Sequence, residues 1–260
     1  MGIMAVRHNN FSEETGEGAL IEGRNAVFEA LRAGVQIDKI FIAKGEVDST
    51  LKSIASKARA AGAVVSETDR RKLDSMSATH AHQGVIAAAA CIEYSTIDDI
   101  LAIARSKGED PLVVLCDEIN DPHNLGAIIR TCEAFGAHGV VIPKHRSAGA
   151  TATVAKTSSG AVFLTAVARV ANLSTAIADL KKAGVWVYGA SASGDAALWQ
   201  TDLKRPLALV VGSEGSGISR LVGERCDCTV SIPMYGKMSS LNASVAAAIF
   251  IYEAVRQRFC

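Results

Sequence analysis

The sequence predicts an α/β protein of two unequal units, the larger built on a mainly parallel sheet with helices on both faces. Beyond residue 111, five apolar runs (112–116, 139–142, 185–190, 207–211 and 229–232) lack polar alternation and are separated by helical stretches. Strands buried on both faces have that pattern. Shorter strands and helices also alternate between residues 21 and 91, as in a smaller self-contained α/β unit. The hydrophilic stretch Arg105-Ser-Lys-Gly-Glu-Asp110 marks a boundary between the two.

The elements follow in order. Residues 1–17 are polar and aperiodic and are expected to form a disordered tail. The first unit spans 18–92. In it, a helix from Gly23 puts Val27, Ala30 and Leu31 on one face and stops at Gly34. A strand at 39–43, a helix at 51–61 closed by Gly62 and a strand at 63–66 come next. Asp69 is placed to cap a short helix through Met76, and an apolar run fills 85–91. Residues 93–110 link the units, with a helix at 97–104, and 111–260 form the second unit. Its last helix, 241–258, is Ala-rich and apolar around much of its circumference, as expected of a helix packed against a partner.

Composition narrows the functional classes. With 260 residues, 49% apolar and 21% charged, the chain has the make-up of an ordinary globular protein. No apolar stretch approaches the roughly 18 residues of a membrane span, and residues 1–10 hold no signal-peptide core, so a cytoplasmic protein is expected. The six cysteines form no CxxC pair and read as small buried hydrophobes rather than a disulfide framework. The six histidines are scattered without HExxH or HxxxH spacing, so no metal site is expected. Net charge is zero, so any electrostatic footprint for nucleic acid must be local, with Arg70-Arg71-Lys72 and Lys144-His145-Arg146 the evident clusters.

Three polar segments follow directly on apolar strands, where open α/β sheets bind ligands. The first, Asp117 to Glu133, places Asn124 where a helix begins and Arg130 and Glu133 three residues apart on it. From this segment alone, an N-cap and a surface Arg-Glu pair account for these residues better than a site does. The second, Leu207 to Ser219, runs a strand into a turn with Gly212, Gly215 and Gly217. Backbone N–H groups there could meet a ligand closely. Ile218 stands where a P-loop needs Lys, and Glu214 suits a ligand that is neutral or cationic nearby rather than a phosphate. The third, Ser231 to Ser244, ends a strand at Pro233 and starts the last helix at Ser240 or Asn242. Each segment also reads as ordinary turn chemistry, but three in one sheet suggest a composite site. No GxSxG elbow is present. A non-catalytic RNA-binding module or a nucleotide-binding α/β enzyme explains only part of the pattern.

Together these segments resemble the signature motifs of the SpoU class of the SPOUT RNA methyltransferases, over residues 112–256. Ile21-Glu-Gly-Arg-Asn-Ala-Val-Phe-Glu-Ala-Leu31 resembles the start of the ribosomal-protein-like substrate domain that some members carry. Asp121-Pro-His-Asn-Leu-Gly126 and Ile142-Pro-Lys144 are similar to the RlmB-type subgroup, which methylates a guanosine ribose in bacterial large-subunit (23S) ribosomal RNA. The resemblance implies a C-terminal α/β unit tied in a trefoil knot, a homodimer packed through it, and S-adenosyl-L-methionine as methyl donor without a metal. It implies reaction roles for Asn124, Arg130, Glu214, Ser240 and Asn242, and donor contacts from backbone at Gly212, Ile232 and Leu241. A transfer-RNA or antibiotic-resistance methyltransferase of the same class is the alternative.

Methyl transfer from a sulfonium to a hydroxyl is an in-line displacement that needs alignment, exclusion of water and help with one proton. Guanidinium is too basic to be a ready proton acceptor, so Arg130 is expected to clamp a flanking phosphate and stabilise the developing alkoxide. RNA recognition is expected of the first unit, through Arg24 and the run Arg70, Arg71 and Lys72.

Overall fold

The computed structural model describes residues 20–45, 48–238 and 240–259; the expected tail lies outside the described residues. The first unit contains β1 (Leu20–Glu22), α1 (Arg24–Arg32), β2 (Ile37–Ala43), α2 (Ser49–Ala60), β3 (Val64–Thr68), α3 (Arg70–Met76) and β4 (Val85–Ala89). Its four-stranded sheet has the order β1-β4-β2-β3, with β4 antiparallel to β1 and β2, and β3 parallel to β2. Val27 of α1 and Leu51, Ile54 and Ala58 of α2 bury against Ile40 and Val85. Fully burying an aliphatic side chain contributes roughly 1.5–3 kcal/mol, which is what turns these short elements into a unit. Asp48 begins α2 by accepting from the Leu51 N–H at 2.9 Å. Asp69 precedes α3, but its side chain makes no capping bond; it sits 3.8 Å from the Lys44 ammonium instead.

The stretch between the units holds α4 (Ile97–Lys107), opened by a Thr96–Asp99 capping box and closed by a left-handed Gly108. It is not a free tether. Ile100 and Leu101 are buried in the second unit's core, and the Ser95 N–H donates to Val167 at 2.9 Å.

The second unit continues with β5 (Leu112–Cys116), α5 (Pro122–Ala134), β6 (Gly139–Pro143), α6 (Ala152–Thr157), β7 (Val167–Val170), α7 (Leu173–Lys182), β8 (Trp186–Ala190), β9 (Ala196–Ala197), β10 (Leu207–Val211), α8 (Arg220–Gly223), β11 (Cys228–Ser231) and α9 (Ala243–Phe259). The seven strands order as β7-β6-β5-β10-β8-β11-β9, every pair parallel. Along β5 the side chains alternate between two cores. Leu112, Val114 and Cys116 join the core formed with α5 and α9, while Val113 and Leu115 join that of α4 and α7. Apolar residues at every position of these runs are thereby explained. Among the described residues, no helix is long and apolar enough to cross a membrane.

The units meet through a buried polar node. Asp38, where the β2–β4 register slips, pairs with Arg169 of β7 at 2.8 Å and accepts from the Tyr94 hydroxyl at 2.7 Å. Tyr94 in turn accepts from the Ala150 N–H at 2.9 Å. Gly149 packs so closely that a Cβ there would lie 2.1 Å from the Asp38 carboxylate.

Candidate active site

Because the second sheet is parallel, the loops after β5, β8, β10 and β11 leave from one edge. The β5 loop is held by the Asp117 N–H, which donates to Val211 at 2.8 Å, and Asp117 accepts from the Ser219 N–H at 2.7 Å. One carboxylate at the end of β5 thus anchors the far side of the β10 loop.

That loop is folded on itself. Ser213 and Gly217 exchange two backbone hydrogen bonds, at 3.1 and 2.9 Å, and their side of the turn is closed by a 2.7 Å contact between the Ser213 and Ser216 hydroxyls. A Cβ at Gly212 would lie 2.0 Å from the Gly217 carbonyl carbon, and Gly217 has φ +66°, so both positions require glycine. The fold projects Glu214 outward, next to the first turn of α5 and the start of α9.

Three side chains from three loops converge there. The Asn124 amide donates to Glu214 Oε1 at 3.1 Å, and its carbonyl accepts from the Asn242 amide at 2.9 Å. The same Asn242 amide also donates to Glu214 Oε1. The orientation of Asn242 is fixed by its other end, since Oδ1 accepts from the Ser244 N–H at 2.9 Å and the Val245 N–H at 3.3 Å. Its NH₂ must then face the other two residues. Asn242 is therefore both the cap of α9 and the bridge of the cluster. Asn124 lies within the first turn of α5, whose cap is Asp121, accepting from the His123 N–H at 2.8 Å.

Beside this cluster opens a cavity of about 600 Å³, a size that suits a nucleoside-like molecule. Gly212, Glu214, Ile232, Ser240 and Leu241 line it, as do the apolar side chains of Val211, Ile218 and Phe250. Another part of the wall, Ala190 to Ser193 at the end of β8 and just beyond it, is one that sequence reasoning misses. Its signal was a small-residue loop following an apolar run, the same cue as in the other three. Asp195 secures this wall by accepting from the Thr229 hydroxyl at 2.7 Å and its N–H at 3.2 Å. Those bonds hold the Asp195 carboxyl below the usual range.

Arg130 is farther along α5 than Asn124 and bonds away from the cluster. It is not part of the lining; its guanidinium donates to the Ser159 hydroxyl at 3.1 Å. Arg24, Arg70, Arg71 and Lys72 are in the first unit, outside the cavity. Arg24 pairs with Asp48 and donates to the Gln83 carbonyl at 3.0 Å, while Arg71 and Lys72 are exposed on α3.

The chemistry this arrangement allows is limited. Among the described residues, no group of His, Cys, Asp and Glu could hold a metal ion. Burial pushes the Cys116 thiol up to about 12 and Cys132 well above its ordinary value, so neither is a ready nucleophile. An apolar slot edged by serines, with Glu214 at its mouth and a second lining carboxylate, Glu224, paired with Arg220 at 2.9 Å, suits a ligand with a flat apolar part and a cationic centre.

Comparison with known proteins fits this geometry. Residues 111–252 match the model of the SpoU rRNA methylase family. Residues 20–95 match the model described as RNA 2′-O ribose methyltransferase substrate binding. Over 236 residues the chain is 45% identical to a protein named as a TrmH family tRNA/rRNA methyltransferase in Bacillus subtilis, covering 91% of this chain and 94% of the relative. The crystal structure of the SpoU methyltransferase AviRb from Streptomyces viridochromogenes, in complex with AdoMet, is similar at TM-score 0.59 and 27% identity. That match covers 92% of this chain and 90% of AviRb. The AdoMet-bound rRNA methyltransferase from Sinorhizobium meliloti is similar at TM-score 0.57 and 26% identity, over 93% of this chain and 88% of that one.

Proposed function

This chain belongs to the SpoU rRNA methylase family, and we propose that its substrate within that family is a guanosine ribose of large-subunit (23S) ribosomal RNA. It is an S-adenosylmethionine-dependent RNA 2′-O-ribose methyltransferase of the SpoU/TrmH class. The observation that carries the reading is the Asn124–Glu214–Asn242 cluster at the mouth of a cavity lined by Gly212, Ile232 and Leu241. The guanosine assignment rests on the resemblance of residues 121–126 and 142–144 to the subgroup with that substrate.

S-adenosylmethionine supplies an electrophilic methyl, and the chain's own residues do the rest. The apolar wall and the backbone at Gly212, Ile232 and Leu241 hold the donor and exclude water. With the donor bound, Glu214, held by both asparagines, would offer negative charge to its cationic centre. Ser240 lies at the exposed end of the cavity, where the ribose must enter. Arg130, outside the donor lining, acts on the RNA: it clamps a phosphate flanking the target and stabilises the forming alkoxide. Arg24 and the Arg70–Lys72 run give the first unit its phosphate contacts.

A homodimer packed through the second unit completes the reading. Helix α9 buries Ala247, Phe250 and Ile251 inward and leaves Val245, Ile249, Tyr252 and Phe259 exposed on another face. An outward apolar stripe of this kind is the sort of surface that a second copy covers. A trefoil knot in the second unit and a cytoplasmic site of action belong to the same reading.

Transfer of labelled methyl to unmodified large-subunit ribosomal RNA, with bulk transfer RNA in parallel, tests the substrate. Label in the ribosomal RNA is expected; label confined to transfer RNA overturns the assignment and keeps the chemistry.

A further inference from the structure

The turn after β6 lies outside the cavity, yet the fold has built it with care. Arg146 and Glu118, from the turns after β6 and β5, are both non-glycine residues in the left-handed region, at φ 55° and 57°. They are joined by a 3.0 Å ion pair. The two turns are further tied by the Ala148 N–H donating to the Ile119 carbonyl at 2.8 Å. Strained backbone of this kind persists only where surrounding contacts over-determine it, and it gathers at functional sites.

The pair is lopsided. The Arg146 side chain is 80% exposed while Glu118 is 28% exposed, so the guanidinium faces solvent and the carboxylate is tucked beneath it. On the same turn Lys144 reaches toward the first unit, its ammonium 3.0 Å from where a Cβ at Gly62 would stand. The turn therefore lies along the seam between the units, and Glu118 is only three residues before Asp121, the cap of the helix that carries Asn124. On the RNA-methylation reading, RNA held by the first unit passes along this seam to present a ribose to the cavity.

We propose that Arg146, held by Glu118, is an RNA phosphate contact that guides the strand from the first unit to the methyl-transfer site, with Lys144 beside it. This rests on the RNA-methylation reading above. In a chain of zero net charge, a cation set at the crossing has more effect on RNA than one placed at random. A guanidinium left with free donors can take a phosphate without giving up its carboxylate partner.

The test uses the full chain and a transcript of large-subunit ribosomal RNA, with RNA affinity and KM measured as salt is varied and donor affinity measured separately. Arg146→Gln is expected to raise the RNA KM about tenfold and lower the magnitude of the salt slope by about 1, the signature of one lost phosphate contact. Donor affinity and kcat should stay within about twofold, and Arg146→Lys should keep most of the slope. Glu118→Gln frees the guanidinium and should leave RNA affinity at least as tight. An Arg146→Gln protein with unchanged KM and slope overturns this inference alone. So does a Glu118→Gln protein that reproduces the Arg146→Gln defect, since the pair would then merely brace the turn. Failure of the unaltered chain to bind the transcript would instead remove the reading beneath it.

Discussion

Asn124 and Glu214 are 90 residues apart in the chain and joined by a 3.1 Å hydrogen bond. Asn242 closes the cluster, donating to both while its carbonyl caps α9. The two ends of Asn242 therefore serve different purposes, and two substitutions separate them.

Asn242→Asp retains the capping oxygen but sets a second carboxylate against Glu214. It should melt close to the unaltered protein and lose methyl transfer by about 10–100-fold, since a bond to a charged group contributes on the order of 1.5–3 kcal/mol. Asn242→Ala removes cap and bridge together and should also lose about 1 kcal/mol of stability. Thermal melts alongside donor titration decide it; equal activity in Asn242→Asp and the unaltered enzyme would show that the bridge is idle.

The Asp38–Arg169 pair should be the most sensitive joint in the molecule. Its side chains are 5% and 10% exposed, and burial pushes the Asp38 carboxyl up against the pull of Arg169 and Tyr94. Asp38→Ala strands the Arg169 charge in the seam and should cost about 3–5 kcal/mol, whereas removing both charges together should cost less. Denaturant unfolding of the single and double variants gives the comparison.

Glu22 predicts an acid limb in the first unit. Partial burial works against its charge, but hydrogen bonds from Ser77, Thr79 and the Ala78 N–H outweigh that and hold its carboxyl at about 2. An acid with a depressed folded value stabilises the fold above its unfolded value, near 4.5, and loses that contribution as pH falls toward about 2. Far-ultraviolet dichroism between those limits should show loosening that is absent in Glu22→Gln, which starts from lower stability at neutral pH.

The outer face of α9 predicts the assembly. Tyr252 meets Phe135 edge-on at 5.9 Å, and with Ile249 and Val245 they form an exposed apolar strip. Ile249→Asp should sediment as a single chain, while the unaltered protein sediments at twice the chain mass. A monomeric unaltered protein would refute the homodimer.

Much of this architecture could be read from local pattern, and what escaped did so for physical reasons. The apolar run of β5 was legible because both of its faces are buried. β7 was not, because Arg169 interrupts Val167–Val170 and the partner that satisfies it, Asp38, is 131 residues away. Asp69 has the residue type and position of a cap without making the bond, since Lys44 lies nearby. Asn124 and Arg130 share a helix, yet only Asn124 reaches Glu214, a distinction that helical spacing cannot supply. The three loops that meet at the cavity are legible because each follows a buried strand, and β8 offers the same cue for the Ser191–Ser193 wall.

The most direct measurement is the identity of the methylated nucleoside. Large-subunit ribosomal RNA methylated with labelled S-adenosylmethionine would be digested to nucleosides and resolved by mass spectrometry. The expected product is 2′-O-methylguanosine, produced by the unaltered enzyme and lost in Asn124→Ala. A methyl group on a base, or a labelled product undiminished in that variant, would contradict it.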